Sequence, residues 1–276
     1  MSRLIAMTHR ALLTLTLTAP VSGIPTTLVS AATTAPAPAP AAPVAAPALI
    51  QQGFNQGDPA LLRKARGQLL GQLTADPASA SLHTWVAVVA WRAVPLLART
   101  DKNAARRICE EGLEHAEAAL SSPPDMALAL ALKAALQGLS IQFNGAAAMT
   151  LGPAMVENMA RAADMAPADP RIQLLDGINT LHTPSIFGGG PERALAKFRR
   201  ALELFATEAP DSSGARWGRD DAHVWAGRAE AKRENFAAAR RHYVDALAIN
   251  PNHGWVKNTL LPEVDATLAS KEKSGS

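Results

Sequence analysis

The sequence predicts an all-α fold in which four to five antiparallel helix pairs stack into an α-solenoid. Residues 220–253 have the pattern of one helix–turn–helix unit of about 34 residues, and such a unit cannot bury its apolar face without stacked neighbours. In residues 191–206, apolar side chains recur at helical spacing and charged side chains fall largely opposite. The chain shows no Val/Ile/Tyr/Thr alternation of the kind that indicates strands.

The first 31 residues have the layout of a secretory signal peptide. Arg3 and Arg10 form a basic start, residues 11–19 are a short apolar run, and small residues lead to an A-x-A-like cleavage position at Ala31. An uncleaved membrane anchor is the alternative, but the run is broken well short of the ~20 apolar residues that a span needs. We therefore expect cleavage near Ala31 and export to the periplasm. Because no cysteine lies near this position, we do not expect a lipoprotein.

Charge and cysteine content narrow the function classes. Removal of Arg3 and Arg10 lowers the net charge from +3 to +1, and the chain has no Lys/Arg stripe with interleaved aromatics, so we expect no nucleic-acid binding. Cys109 is the one cysteine, which rules out an internal disulfide. Its place in a helical pattern favours a buried small side chain.

Beyond the signal peptide, composition and punctuation divide the chain into three segments. Residues 32–49 are a Pro/Ala-rich tether, because this composition favours extended polyproline geometry. Residues 50–270 are the helical-repeat domain, and residues 271–276 are a tail that we expect to fray. Inside the domain, Asp-Pro and Pro-Asp steps mark helix boundaries. The predicted helices run near 58–74, 79–99, 102–121, 125–142, 151–166, 170–182, 191–208, 219–234, 236–249 and 254–269.

The unit that starts at Asp220 carries a recognisable repeat pattern. Its small, alanine, aromatic, alanine and proline positions are Gly227, Ala239, Tyr243, Ala246 and Pro251. On these residues the chain resembles tetratricopeptide-repeat proteins, in which small residues let two helices approach closely and an aromatic ring fills the gap. Two earlier units match with insertions. In one, Gly177 is followed by Ala194, Phe198 and Ala201, and in the other, Gly138 is followed by Met155, Met159, Ala162 and Pro167.

Two further resemblances are more general. The TP-x-x-FGGG turn at 183–190 is similar to a turn in some exported bacterial tetratricopeptide-like proteins. The exported helical architecture also resembles the T component of tripartite periplasmic transporters. For the glycines at 188–190 we prefer a turn that needs positive φ over an anion site at the following helix start.

The resemblance to tetratricopeptide repeats implies a concave groove lined by the first helix of each pair. It places Arg171, His182, Arg228 and Lys232 in a basic part of this groove, and Leu139 and Phe143 in an apolar part. Such a groove suits the carboxylate end of a peptide or a small hydrophobic acid, because Arg can bind a carboxylate through two donors. The alternative is an ordinary solvated Lys/Arg face. The same pattern assigns to the groove Leu132, Ala135, Gln142, Leu174, Ile178, Asp221 and Val224.

The sequence gives only weak signals for a hydrophobic cavity, a metal site or catalytic residues. Five methionines lie in 126–165, where they either fill a core or line a hydrophobic cavity. The histidines are scattered without metal-ligand spacing, so we predict no metal site and no cofactor. No serine lies in a nucleophile motif, and we predict no catalytic residue.

We therefore expect a non-enzymatic exported scaffold that binds a protein or peptide partner through its concave face. The alternative is a periplasmic binder of a small amphipathic or lipid ligand, associated with a transporter. An enzyme would need a cleft with coupled titratable groups, which the residue spacing does not indicate.

Overall fold

The structure, a computed structural model, describes residues 45–121, 126–208 and 217–274. In these ranges it is all-helical and contains no strand. The signal peptide and residues 32–44 of the tether lie outside the described residues. The helices are α1 Ala46–Gln56, α2 Pro59–Leu73, α3 Ala80–Leu97, α4 Lys102–Ala119, α5 Met126–Ser140, α6 Ala148–Met165, α7 Pro170–His182, α8 Pro191–Thr207, α9 Arg219–Lys232, α10 Phe236–Ile249 and α11 Leu261–Ser274.

Helix α1 is the one α-helix here that the periodicity did not predict. It begins at Ala46, inside the predicted tether 32–49, and has a proline in its first turn, where the missing N–H breaks no helical hydrogen bond. Leu49 and Ile50 are buried, so α1 belongs to the core. An alanine-rich sequence is a good helix former as well as a good tether, and composition alone did not separate the two.

Aspartates cap the helices that the punctuation marked. The side chain of Asp58 accepts a hydrogen bond from the backbone N–H of Ala60, and that of Asp169 accepts one from Arg171. In both cases a proline follows directly and occupies the first helical position. The capping oxygen satisfies a backbone donor that has no partner within the helix. The Pro124-Asp125 step lies outside the described residues.

Helices adjacent in the chain pack against each other, and a second set of contacts links alternate helices. Helix α1 contacts α3, α3 contacts α5, α5 contacts α7, and α7 contacts α9. We call α1, α3, α5, α7 and α9 the inner row. Its middle is almost continuously buried, as residues 86–94 of α3 and 129–132 of α5 show. Most of the core therefore lies along the inner row.

Close helix contacts occur where a glycine faces an aromatic ring. A Cβ added to Gly227 would lie 2.5 Å from Cε1 of Tyr243, and one added to Gly177 would lie 2.5 Å from Cε1 of Phe198. Both rings are buried. The glycines therefore allow α9 to approach α10, and α7 to approach α8, as the residue pattern predicted.

The first helices of the described region contact the last ones. The side-chain amides of Asn55 and Asn250 hydrogen-bond each other at 2.9 and 3.3 Å. The ring of Phe54 meets that of His253 edge-on, with centroids 5.5 Å apart. On α3, Arg92 forms an ion pair with Asp221 of α9. The two ends of the inner row are therefore in contact: α1 meets the turn after α10, and α3 meets α9. We call this contact the closure of the inner row.

This closure corrects part of the predicted groove. Six residues assigned to the groove are buried and belong to the core: Leu132, Ala135, Leu174, Ile178, Asp221 and Val224. An arrangement with free ends would leave these positions on an open concave face. Because α1 and α3 pack near α9, the inner row instead buries most of its own surface.

One described helix, α3, is long and apolar enough to cross a membrane by length and composition. However, 61% of its apolar window is buried inside the protein. A core helix of a folded domain has the same composition, and the burial of α3 agrees with that role.

Candidate functional site

Four side chains form an aromatic and cationic cluster near the C-terminal end of the inner row. They are His182 at the end of α7, Trp225 and Arg228 on α9, and Trp255 after α10. The His182 and Trp225 rings have centroids 5.5 Å apart in an edge-on arrangement. The two indoles are 6.0 Å apart, also edge-on. We call these four residues the Trp–Arg cluster.

Local structure explains how the Trp–Arg cluster forms. Trp225 and Arg228 are three residues apart on α9 and therefore share one side of the helix. Contact between α7 and α9 brings His182 beside them. Trp255 is positioned by the preceding turn, where Gly254 lies so close to α1 that an added Cβ would be 2.4 Å from the backbone oxygen of Asn55. The cluster thus depends on the closure of the fold.

Arg228 is the central charge of this cluster. Its Cζ lies 4.6 Å from the ring centroid of Trp225 and 5.0 Å from that of Trp255. The side chain is half-buried, and desolvation lowers the pKa of its guanidinium. Within the described residues no carboxylate lies within ion-pair distance of Arg228. Its guanidinium donors are thus available to an anionic ligand, while the indoles hold its plane by cation–π contact.

His182 adds an imidazole ring at the edge of the cluster. Its Nδ1–H donates a hydrogen bond to the backbone oxygen of Ile178 at 2.8 Å. A carbonyl can only accept, so the proton of the neutral ring is on Nδ1 and Nε2 carries a lone pair. The pKa of His182 is lowered, first by desolvation and then by the positive charges of Arg228 and Lys232. The ring is therefore neutral at pH 7, although the side chain is exposed.

The loop after His182 exposes two large apolar side chains. Ile186 is 86% exposed and Phe187 is 74% exposed. The glycines that follow have structural roles: Gly188 and Gly190 have φ of 86° and 112°, and a Cβ at Gly189 would lie 1.9 Å from the backbone oxygen of Thr183. The turn interpretation of this triple glycine is therefore confirmed.

The structure brings three predicted site residues together and places the other three elsewhere. His182, Arg228 and Lys232 are close enough for both cations to affect the histidine, and Lys232 is exposed. Arg171, at the opposite end of α7, donates to Glu208 at 2.8 Å and to Asp169 at 3.3 Å. Two apolar candidates are half-buried and pack against the main core: Leu139 and Phe143.

The methionine-rich segment divides between the core and the exposed surface. Met155 and Met159 are buried in the main core, whereas Met149 is 84% exposed and Met165 is 48% exposed. Core filling therefore explains the first two. The other two lie on the surface of α6.

Sequence reasoning missed the two tryptophans of the cluster and two pairs of histidines. His83 and His115 have Nδ1 atoms 2.7 Å apart, and those of His223 and His242 are 3.4 Å apart. The members of each pair lie on different helices, 32 and 19 residues apart in the chain. Only the register between helices shows that they meet.

Comparisons with known proteins give a fold and no family. No protein-family model matches the sequence, and no curated protein matches it. Among solved structures, the chain is similar to the HusA haemophore from Porphyromonas gingivalis, with 20% sequence identity and a TM-score of 0.55. The match covers 68% of this chain and 94% of that one. The likeness supports the all-helical fold.

Proposed function

We propose that this protein is a non-enzymatic, exported binding protein that holds a planar amphipathic ligand bearing carboxylates, and that haem or another porphyrin is that ligand. The observation that carries the proposal is the position of Arg228. Its guanidinium lies over two indole rings and has no carboxylate partner among the described residues.

The chemistry of the cluster matches that class of ligand. A porphyrin such as haem has a flat apolar ring, two propionates and a central metal. Trp225 and Trp255 offer aromatic faces, Arg228 and Lys232 offer positive charge, and His182 offers a neutral nitrogen. The solved neighbour is described as a haemophore. Histidine is a common axial ligand of haem iron.

Binding of haem to the full, tag-free chain tests this proposal, with metal-free protoporphyrin as a second probe. Absorbance and fluorescence titrations should give saturable binding of about one molecule per chain. Arg228→Ala and Trp255→Ala should each weaken binding of both probes about tenfold or more, because each removes a contact to the charged or aromatic part. Arg106→Ala is the matched control, because Arg106 is exposed on α4 and paired with Glu110 at 2.8 Å.

The controls separate a specific site from loose adsorption. Circular dichroism should show that all three variants keep the helical fold. If haem binds wild type and both cluster variants equally, its site lies elsewhere and the proposal fails. Absence of saturable binding to the wild-type chain would also overturn it.

A protein partner is the second candidate, and the exposed pair Ile186 and Phe187 favours it. Two large apolar side chains at 86% and 74% exposure lie four and five residues beyond His182. A peptide with a carboxylate could also use Arg228. Native mass spectrometry of the exported wild type and of an Ile186→Asp/Phe187→Asp variant tests this candidate, since only the wild type should carry a stoichiometric protein partner.

We further propose a specific architecture for the helix pairs and a specific location for the protein. The inner row and the glycine–aromatic contacts support a tetratricopeptide-like arrangement of helix pairs. The signal-peptide layout supports export to the periplasm with cleavage near Ala31. Mass spectrometry of the N-terminus of the exported chain tests the cleavage position.

A further inference from the structure

Two histidines and an aspartate converge between α9 and α10. His223 is in the first half of α9, and His242 and Asp245 are three residues apart on α10, which places them on one side of that helix. Their ligand atoms all lie within 4.8 Å of one another. His223 is two residues before Trp225 and therefore faces another side of α9 than the Trp–Arg cluster.

The helix contact that holds these residues is closely packed. Gly227 is one turn after His223, and Tyr243 directly follows His242. Because the Tyr243 ring occupies the space where a Cβ of Gly227 would be, α9 and α10 have a defined separation at this point. The two imidazoles are thus presented on helices whose spacing is fixed by the core.

The distances fit a tetrahedral metal ion. With metal–nitrogen bonds of about 2.0–2.1 Å, two tetrahedral ligand atoms are about 3.4 Å apart. The Nδ1 atoms of His223 and His242 are 3.4 Å apart. The separation of His223 Nδ1 from Asp245 Oδ2 is 3.8 Å. The side chain of Asp245 is 56% exposed, so it is free to rotate toward the shorter distance.

We propose that His223, His242 and Asp245 form a binding site for a divalent transition metal of the Zn²⁺ class. Two imidazoles and one carboxylate are ligands that Zn²⁺ takes in proteins, and three protein ligands leave a fourth position open to water or another small molecule. This site is independent of the proposed porphyrin function.

The surroundings favour neutral imidazoles, which are the ligating form. The pKa of His223 is lowered to about 4, first by desolvation, whereas Asp245 raises it and His242 and Arg219 lower it. The pKa of His242 is also lowered, first by desolvation, with Asp245 and Glu230 raising it and Arg199 and Arg241 lowering it. The three arginines oppose a bound cation and the two carboxylates attract it.

The other histidine pair lacks these features. The Nε2–H of His83 donates to the backbone oxygen of Pro77 at 3.0 Å, so its neutral Nδ1 is an acceptor. The Nδ1–H of His115 then donates to it across 2.7 Å, which is a hydrogen-bond distance and too short for two ligands of one ion. His115→Ala is therefore a matched control that removes a histidine from a pair without removing a metal ligand.

Titration of the tag-free full chain with Zn²⁺ tests the proposal by isothermal calorimetry, and Co²⁺ absorption reports tetrahedral coordination. Wild type and His115→Ala should bind one ion with equal affinity and give the same Co²⁺ spectrum. His242→Ala and Asp245→Ala should weaken binding at least about tenfold and change that spectrum, because each removes a ligand.

Circular dichroism establishes that each variant is folded before its affinity is compared. The proposal is overturned if wild type binds no Zn²⁺ at micromolar concentrations. It is also overturned if His242→Ala and Asp245→Ala bind as tightly as wild type, since the ion then sits at another site. Porphyrin binding should be the same in all these variants.

Discussion

The guanidinium of Arg92 donates two hydrogen bonds to the carboxylate of Asp221, from Nη1 to Oδ1 at 2.8 Å and from Nη2 to Oδ2 at 2.5 Å. Both side chains are almost fully buried, at 2% and 1% exposure. Arg92 also lies over the ring of Phe54, 3.9 Å from its centroid. This ion pair therefore joins α3 to α9 and contacts α1, so it lies at the closure of the inner row.

Removal of one partner should be strongly destabilising. Asp221→Ala leaves a buried guanidinium without its counter-charge, which costs about 3–5 kcal/mol in comparable cases. Urea unfolding followed by circular dichroism measures the loss. The double variant Arg92→Leu/Asp221→Leu should lose less stability than Asp221→Ala, because no unpaired charge remains. If Asp221→Ala costs under about 1 kcal/mol, the pair does not hold the closure.

Acidification should destabilise the fold in part through His253. This ring is fully buried, and neither of its nitrogens has a hydrogen-bond partner among the described residues. The pKa of His253 is lowered, first by desolvation, although Asp221 and Asp220 raise it in part. A folded-state pKa below the unfolded value of about 6.5 means that the unfolded chain binds the proton first, so the free energy of unfolding falls as pH falls.

The contribution of His253 is measured by comparing pH dependences. His253→Leu should flatten the fall in unfolding free energy between pH 7.5 and 5 by at most about 1.4 kcal/mol per pH unit. Asp220 acts in the opposite direction, because desolvation first and Asp221 second raise the pKa of its carboxyl. Because His253 and Asp220 interact, the difference between variant and wild type reports the loss of the histidine together with its effect on Asp220. Equal slopes in the two proteins would contradict this prediction.

Two glycine-to-alanine substitutions should change the free energy of unfolding in opposite directions. Gly227→Ala places a methyl group 2.5 Å from the Tyr243 ring and should cost about 1–3 kcal/mol. A Cβ at Gly67, inside α2, meets nothing within 4 Å. Gly67→Ala should therefore stabilise by about 0.4–1 kcal/mol, because alanine loses less backbone entropy on folding. Thermal or urea unfolding of both variants measures the two changes in stability. If Gly227→Ala leaves the stability unchanged, the α9–α10 contact is not closely packed.

Local patterns predicted the helices and their paired packing, because these depend on residues close in sequence. Helix spacing and Asp-Pro steps fixed most boundaries, and the contact of Gly227 with Tyr243 follows from positions within one helix–turn–helix unit. The all-helical class and most helix positions could therefore be predicted from the sequence. Helix α1 was not, because its composition also fits a tether.

Long-range relationships were beyond such patterns. Arg92 and Asp221 are 129 residues apart, and neither residue type is expected in a core until its partner is known. Two of the four residues of the Trp–Arg cluster, His182 and Arg228, follow from the first-helix positions, as does the neighbouring Lys232. Trp255 was missed because its place depends on the turn near Asn55, and the meeting of His223 with His242 depends on the register between two helices.

His182 should coordinate the metal of a bound porphyrin and contribute little to binding of the porphyrin ring. With Nδ1–H held by the backbone oxygen of Ile178, Nε2 is the nitrogen available to haem iron. His182→Ala should shift the main visible absorption band of the haem complex and weaken haem binding. The same variant should bind metal-free protoporphyrin within about twofold of wild type, because that ligand has no iron to coordinate, and the contacts with Arg228 and the indoles account for its affinity.

A matched histidine separates this effect from a general loss of imidazole. His115→Ala, on α4, should leave the affinities for haem and protoporphyrin unchanged, and also the absorption spectra of both complexes. If His182→Ala weakens the binding of protoporphyrin as much as that of haem, His182 contributes packing and not coordination. Its ring centroid is 5.5 Å from that of Trp225. If the haem spectrum of His182→Ala equals that of wild type, the iron takes its ligand elsewhere, while the role of Arg228 would still be decided by its own variant.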